Sequence, residues 1–140
     1  MRRLFDSPQE FCYQYMTLPV TQCSVLLVDD EPLILDLYAA ALRQRGFTVH
    51  IATDAATARA INERAHPDVT CIDGRMINAS GVNLARHLID AGAQVVLFTN
   101  DQHLYDHPPA GVAGRLIKVN TRPADLAGRL LGILSASPSK

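Results

Sequence analysis

Several charged or hydroxyl residues of this sequence stand at the ends of short apolar runs. Asp29, Asp30 and Glu31 follow S-V-L-L-V, and Asp73 follows V-T-C-I. Thr99 follows Q-V-V-L-F, and Lys118 lies inside L-I-K-V. Singly, each is ordinary, because an aspartate after a strand is often a turn residue or a helix cap. Gathered at one place, they have a specific chemistry. Clustered carboxylates repel, and one or more protonates unless a cation lies between them. The ligands on offer are oxygens, which suits a hard ion such as Mg²⁺. A carboxylate beside that ion can attack phosphorus and form an aspartyl phosphate. The ion, a hydroxyl and an ammonium would neutralise charge on the transferring phosphoryl oxygens.

Lys118 stands out by composition. The chain has 11 arginines but only two lysines, and the other is the terminal Lys140. A compact ammonium among apolar neighbours is not interchangeable with a guanidinium where a point charge must fit a tight site.

The elements that would gather these residues alternate regularly. Apolar runs at 24–28, 47–51, 69–72, 94–98 and 115–119 read as strands. Between them the spacing predicts helices. Pro32 suits a first helical turn, with Leu33, Ile34, Leu37, Ala41 and Leu42 at helical spacing and Gly46 as the stop. Thr53 or Asp54 caps a second helix with Ala58, Ile61 and Ala65 inward, ended by Pro67. Ser80 caps a third, with Val82, Ala85, Leu88 and Ile89 inward and Gly92 as its stop. Thr121 and Pro123 open the last, with Leu126, Leu130, Ile133 and Leu134 on one face. Strands without polar alternation are covered on both faces, and helical crossovers require parallel pairing. The expected fold is a three-layer, doubly wound α/β domain over 24–134. Its functional residues belong at the C-terminal ends of the strands. Residues 1–23 fit no clean period and read as an N-terminal arm, or as upstream of a true start at Met16. Residues 135–140 read as a polar tail.

Composition narrows the function classes. Hydrophobic residues at 48% and charged residues at 19% allow a packed core. A net charge of −1 argues against direct DNA binding, which needs a basic face. No apolar run approaches the ~18 residues of a membrane span. Cys12, Cys23 and Cys71 are odd in number and form no C-x-x-C pair, so free thiols in a reducing cytoplasm are expected.

Residues 24–134 resemble the receiver domain of two-component response regulators, of the chemotaxis-receiver type. The segments that carry the likeness are V-L-L-V-D-D-E-P (25–32), P-D-V-T-C-I-D-G-R-M (67–76), Gly81 eight positions after Asp73, V-V-L-F-T-N (95–100) and L-I-K-V (116–119). The resemblance implies a flavodoxin-like five-stranded sheet in the order 2-1-3-4-5. It implies Asp73 as phosphoacceptor and Mg²⁺ as cofactor. Asp30 and Asp73 would ligate the ion directly, Asp29 mainly through water, and Arg75 through its backbone carbonyl. Thr99 and Lys118 would hold the phosphoryl oxygens. The donor would be a sensor histidine kinase or a histidine phosphotransfer protein, acting on a monomer or weak homodimer with an unknown output protein.

The sequence departs from that pattern in places. Ile77 replaces a usual proline and Ser80 a usual acid, both tolerable. Val119 stands where the family has a proline preceded by a cis bond. A cis non-proline bond costs ~2.5–4 kcal/mol, so a trans bond or a strained loop is expected, and the reach of Lys118 is in question. Arg115 occupies the position of a switch aromatic, so any switch there would be atypical. The stretch before it is short and holds Pro108-Pro109, so helix 4 should be short, over 101–105, or irregular. Arg75 and Asp101 lie two positions after Asp73 and Thr99, where the family controls water access, and a pair between them would gate the site. His103 and His107 are four apart, but Pro108 ends any helix and no third metal ligand is apparent.

These observations favour a single-domain phosphoacceptor signalling module working by protein contact or phosphorelay. The alternative is a receiver-like interaction module that does not switch by phosphorylation. An aspartyl-nucleophile phosphatase is set aside, because it needs a second acid two residues after the nucleophile and Arg75 stands there.

Overall fold

The computed structural model describes residues 23–76 and 80–136. The expected arm, apart from Cys23, lies outside the described residues with its Cys12 and Met16, as do Ile77 and residues 137–140.

Strands β1 (Ser24–Val28), β2 (Thr48–Ala52), β3 (Val69–Ile72), β4 (Val95–Thr99) and β5 (Gly114–Ile117) alternate with helices. The helices are α1 (Pro32–Gln44), α2 (Ala55–Ala65), α3 (Gly81–Asp90), α4 (Gln102–Asp106) and α5 (Pro123–Ala136). The strands form one sheet in the order β2-β1-β3-β4-β5, all neighbours parallel, as the resemblance implied.

The unbroken apolar runs are explained by burial on both faces. Val25 and Leu27 of β1, Cys71 of β3 and Val96 and Phe98 of β4 pack with Leu35, Tyr38 and Leu42 of α1 and Leu126 and Leu130 of α5. Leu26, Val28, Ile72 and Val95 point the other way, onto Ile61 of α2 and Leu84 and Leu88 of α3. Each fully buried leucine contributes about 1.5–3 kcal/mol relative to an exposed one.

Helix ends follow the chemistry of the sequence. Asp54 and Ser80 accept from the backbone N–H of Thr57 and Asn83, satisfying donors that a first turn leaves open. Gly46 (φ 94°) and Gly92 (φ 96°) carry the chain out of α1 and α3 in the left-handed region that glycine enters without strain.

Some expectations shift. β2 and β4 each run one residue later than their apolar runs suggest. On α1 the inward face is Leu35, Tyr38, Ala39 and Leu42, while Leu33 is 82% and Leu37 55% exposed. Two residues turn a helix by about 200°, so Leu33 and Leu37 lie opposite Leu35. On α3 the buried apolar residues are Leu84, Ala85 and Leu88, with Val82 and Ile89 only half-buried. α5 continues through Ala136, two residues into the expected tail. β5 ends at Ile117 rather than Val119, because its partner β4 ends at Thr99, opposite Ile117. Lys118 therefore opens a 3₁₀ turn, Lys118–Asn120.

Helix α4 is a single short element of five residues, capped by Asp101. Beside it lies an open groove of about 1180 Å³, lined by Ile89, Tyr105, Val112, Arg115 and Ile133 among others. Among the described residues no helix is long and apolar enough to cross a membrane.

Candidate functional site

Parallel strands deliver their C-terminal ends to one edge, and the polar residues collect there. Asp29 and Asp73 follow β1 and β3, whose register pairs Val28 with Ile72, so the two carboxylates leave adjacent strands side by side. Thr99 ends β4, and Lys118 follows β5. All four are buried.

Lys118 joins them. Its ammonium Nζ donates to Asp73 Oδ2 at 2.8 Å and also to Asp29 Oδ2. The two peptide bonds flanking Lys118 are trans, as every peptide bond among the described residues is, and the side chain still reaches the site. Both aspartates also accept from the backbone two residues on. The N–H of Glu31 donates to Asp29 Oδ1 and that of Arg75 to Asp73 Oδ1, each at 3.0 Å. These local turns fix the carboxylates before any ligand arrives.

Burial pushes the Asp29 carboxyl above the ordinary aspartate range, and the hydrogen bond and charge of Lys118 offset this only in part. Burial alone would pull Lys118 down. The two carboxylates outweigh it and hold the ammonium above the usual lysine range.

Asp29, Asp30 and Glu31 bring carboxylate oxygens within 4.8 Å of one another. The expected metal set named Asp29, Asp30, Asp73 and the Arg75 carbonyl. Glu31, exposed and next to the pair, joins the carboxylate cluster, while Asp73 meets Asp29 across Lys118. The adjacency of Glu31 to the pair was its signal in the sequence. The carboxylate oxygens lie close together and the donors are all oxygen, so the set fits a hard divalent ion.

Gly81 explains its spacing from Asp73. A Cβ on Gly81 would lie 1.9 Å from the Asp73 carbonyl oxygen. Only a glycine lets the start of α3 pack on the backbone of the loop after β3.

Arg75 and Asp101 do meet. Arg75 Nε donates to Asp101 Oδ2, with the arginine largely exposed. The second Asp101 oxygen accepts from Leu104 N–H at 3.0 Å, and its own N–H donates to Thr99 Oγ1 at 3.1 Å. The Leu104 bond and then Arg75 hold the Asp101 carboxyl below the usual range. Arg115 is exposed rather than aimed at the site. Its Nη1 donates to the Tyr105 carbonyl at 3.0 Å, and its guanidinium lies 5.0 Å above the Tyr105 ring. His103 and His107 lie with ring centroids 4.6 Å apart and belong to no cluster of three ligands among the described residues.

Two features of the site were not foreseen. Val119 N–H donates to Asn100 Oδ1 at 2.8 Å, and the Tyr38 hydroxyl donates to the Thr121 carbonyl. Both brace the turn that carries Lys118. The sequence signalled neither, since Tyr38 lies 83 positions from Thr121.

A family model described as the response regulator receiver domain matches residues 25–119. The chain is 34% identical over 98 residues to the probable transcriptional regulatory protein TcrX of Mycobacterium tuberculosis, covering 69% of this chain and 41% of that protein. It spans less than half the length of the curated relatives it matches. Among solved structures it is similar to a LuxR-family two-component response regulator from Aurantimonas sp. SI85-9A1. That match has 26% identity and a TM-score of 0.70, over 84% of this chain and 88% of that one. It is also similar to the BeF3-activated N-terminal receiver domain of Klebsiella pneumoniae RstA. There the identity is 25% and the TM-score 0.69, over 79% and 97% of the two chains.

Proposed function

Because the chain belongs to the response regulator receiver domain family, we propose that it accepts a phosphoryl group on Asp73 from a phosphohistidine of a sensor kinase or phosphotransfer protein. It is a signalling domain rather than a conventional enzyme, and it passes the signal on by protein contact or relay. The observation that carries the assignment to Asp73 is the buried Lys118 ammonium shared by Asp29 and Asp73. It supports this reading because a buried cation beside the Asp73 carboxylate could receive a phosphoryl oxygen.

The residues have separate parts. Asp29, Asp30, Asp73 and the Arg75 carbonyl would hold Mg²⁺, with Glu31 beside them. Bound there, Mg²⁺ would supply charge neutralisation on the phosphoryl oxygens. An Asp73 oxygen forms the new bond to phosphorus as the bond to the histidine nitrogen breaks, and the imidazole leaves with that electron pair. Lys118 would turn from the Asp73 oxygen to the phosphoryl oxygen it becomes bonded beside, and Thr99 would donate its hydroxyl to another. The Arg75–Asp101 pair would cover the approach of water.

A second reading rests on Arg115. Its hydrogen bond to Tyr105 pins the position where a switch aromatic would swing, which favours an interaction module that does not switch by phosphorylation. Labelling with phosphoramidate or acetyl phosphate separates the two. The receiver reading expects Mg²⁺-dependent incorporation that Asp73→Asn abolishes. Absence of incorporation into the wild-type chain favours the interaction module.

A further inference from the structure

Lys118 has an unusual task in this chain. β5 ends one residue before it, so no strand pairing holds its backbone, and the residue after it is Val119. Yet its Nζ reaches both Asp29 and Asp73.

Two side chains from distant elements brace the turn. From the β4–α4 loop, Asn100 Oδ1 accepts the Val119 N–H at 2.8 Å. Asn100 directly follows Thr99, and Val119 directly follows Lys118. One hydrogen bond thus ties together the two loops that carry the phosphoryl-binding residues. It exists because Val119 is not a proline, which would have no N–H to give. From α1, the buried Tyr38 hydroxyl donates to the Thr121 carbonyl and lies 3.4 Å from the Lys118 carbonyl. The Tyr38 ring is itself held edge-on to Phe98, with centroids 5.1 Å apart. Thr121 completes the turn, donating its N–H to Lys118 O and its hydroxyl to Ile117 O, each at 3.0 Å.

Resting on the receiver reading, we propose that Asn100 and Tyr38 are positioning residues that clamp the Lys118 turn and aim its ammonium at the phosphoryl group. Neither touches the reacting atoms; both act through the backbone of residues 118–121.

The test uses the whole chain, with beryllofluoride as the phosphoryl mimic. Asn100→Ala removes the acceptor, and Tyr38→Phe removes the hydroxyl while keeping the ring on Phe98. Each is expected to weaken beryllofluoride binding and slow phosphoramidate labelling about three- to tenfold, the scale of one intramolecular hydrogen bond. Mg²⁺ affinity should stay within about twofold, because the carboxylates keep their own backbone bonds. Asn100→Asp, which keeps the acceptor, should leave the Val119 amide protected from hydrogen exchange, and Asn100→Ala should expose it. The proposal is overturned if both variants bind beryllofluoride like the wild type. It is equally overturned if Mg²⁺ and beryllofluoride affinities fall together, as a general loosening would cause. A wild-type chain that takes no label contradicts the receiver reading instead. The clamp is then judged by Val119 exchange, and it fails if Asn100→Ala leaves that amide protected.

Discussion

At the scale of the residue, the site is governed by one ammonium among acids. Lys118 is 8% exposed and bonded to two carboxylates, so its removal leaves Asp29 and Asp73 facing each other without a countercharge. Lys118→Met is expected to cost ~3 kcal/mol in chelator, the scale of breaking a buried ion pair. The folded chain holds this lysine above its ordinary value. The stabilisation is therefore complete below the unfolded value of about 10.4 and is lost as pH rises through the folded one. Denaturant midpoints should show a constant gap between wild type and Lys118→Met from about neutral pH to about pH 10, then a narrowing one. A gap that widens with alkali would contradict the pairing. The identities of these residues were legible in the sequence, because each acid follows an apolar run and the lysine is singular in an arginine-rich chain. The manner in which Lys118 reaches the pocket was not, since it depends on Asn100 and Tyr38 from other elements.

At the scale of the element, the region after β4 is where this chain is most individual. Pro108-Pro109 and a short span leave α4 five residues long, and Asp101 both caps it and pairs with Arg75. Two substitutions separate these duties. If the Arg75–Asp101 pair covers the phosphoryl group as proposed, Arg75→Ala, which leaves the cap intact, should shorten the lifetime of that group several-fold while α4 amides keep their protection. Asp101→Ala removes both, and should also speed exchange at the Leu104 amide as the cap is lost. Phosphoryl lifetimes equal to wild type in both variants would show that the Arg75–Asp101 pair does not gate the site. Most of the strand–helix alternation was readable from apolar spacing and caps. The inward face of α1 was not, because a helix with apolar residues all round offers periodicity no single answer, and the sheet selects Leu35 and Leu42 over Leu33 and Leu37. The end of β5 was also hidden, since it is set by where β4 stops and not by the apolar run through Val119.

At the scale of the whole molecule, two cores clamp one sheet, and Cys71 of β3 is buried in the core beneath α1 and α5. Burial pushes its thiol up to about 12, and burial followed by the Asp68 charge takes Cys23 to about 11. At pH 8 iodoacetamide should leave Cys71 of the native chain unmodified until denaturant opens the fold cooperatively, because the thiolate is absent and access requires exposing the sheet. Rapid native modification would show that the sheet opens locally. On the receiver reading, this sheet edge gathers carboxylates around a divalent ion and leaves Asp73 to take phosphorus. Its most direct measurement is peptide mapping by mass spectrometry after phosphoramidate treatment, with Mg²⁺ and with chelator. One phosphoryl group is expected, on the peptide that contains Asp73, only when Mg²⁺ is present. A label on another residue, or the same label in chelator, would contradict it.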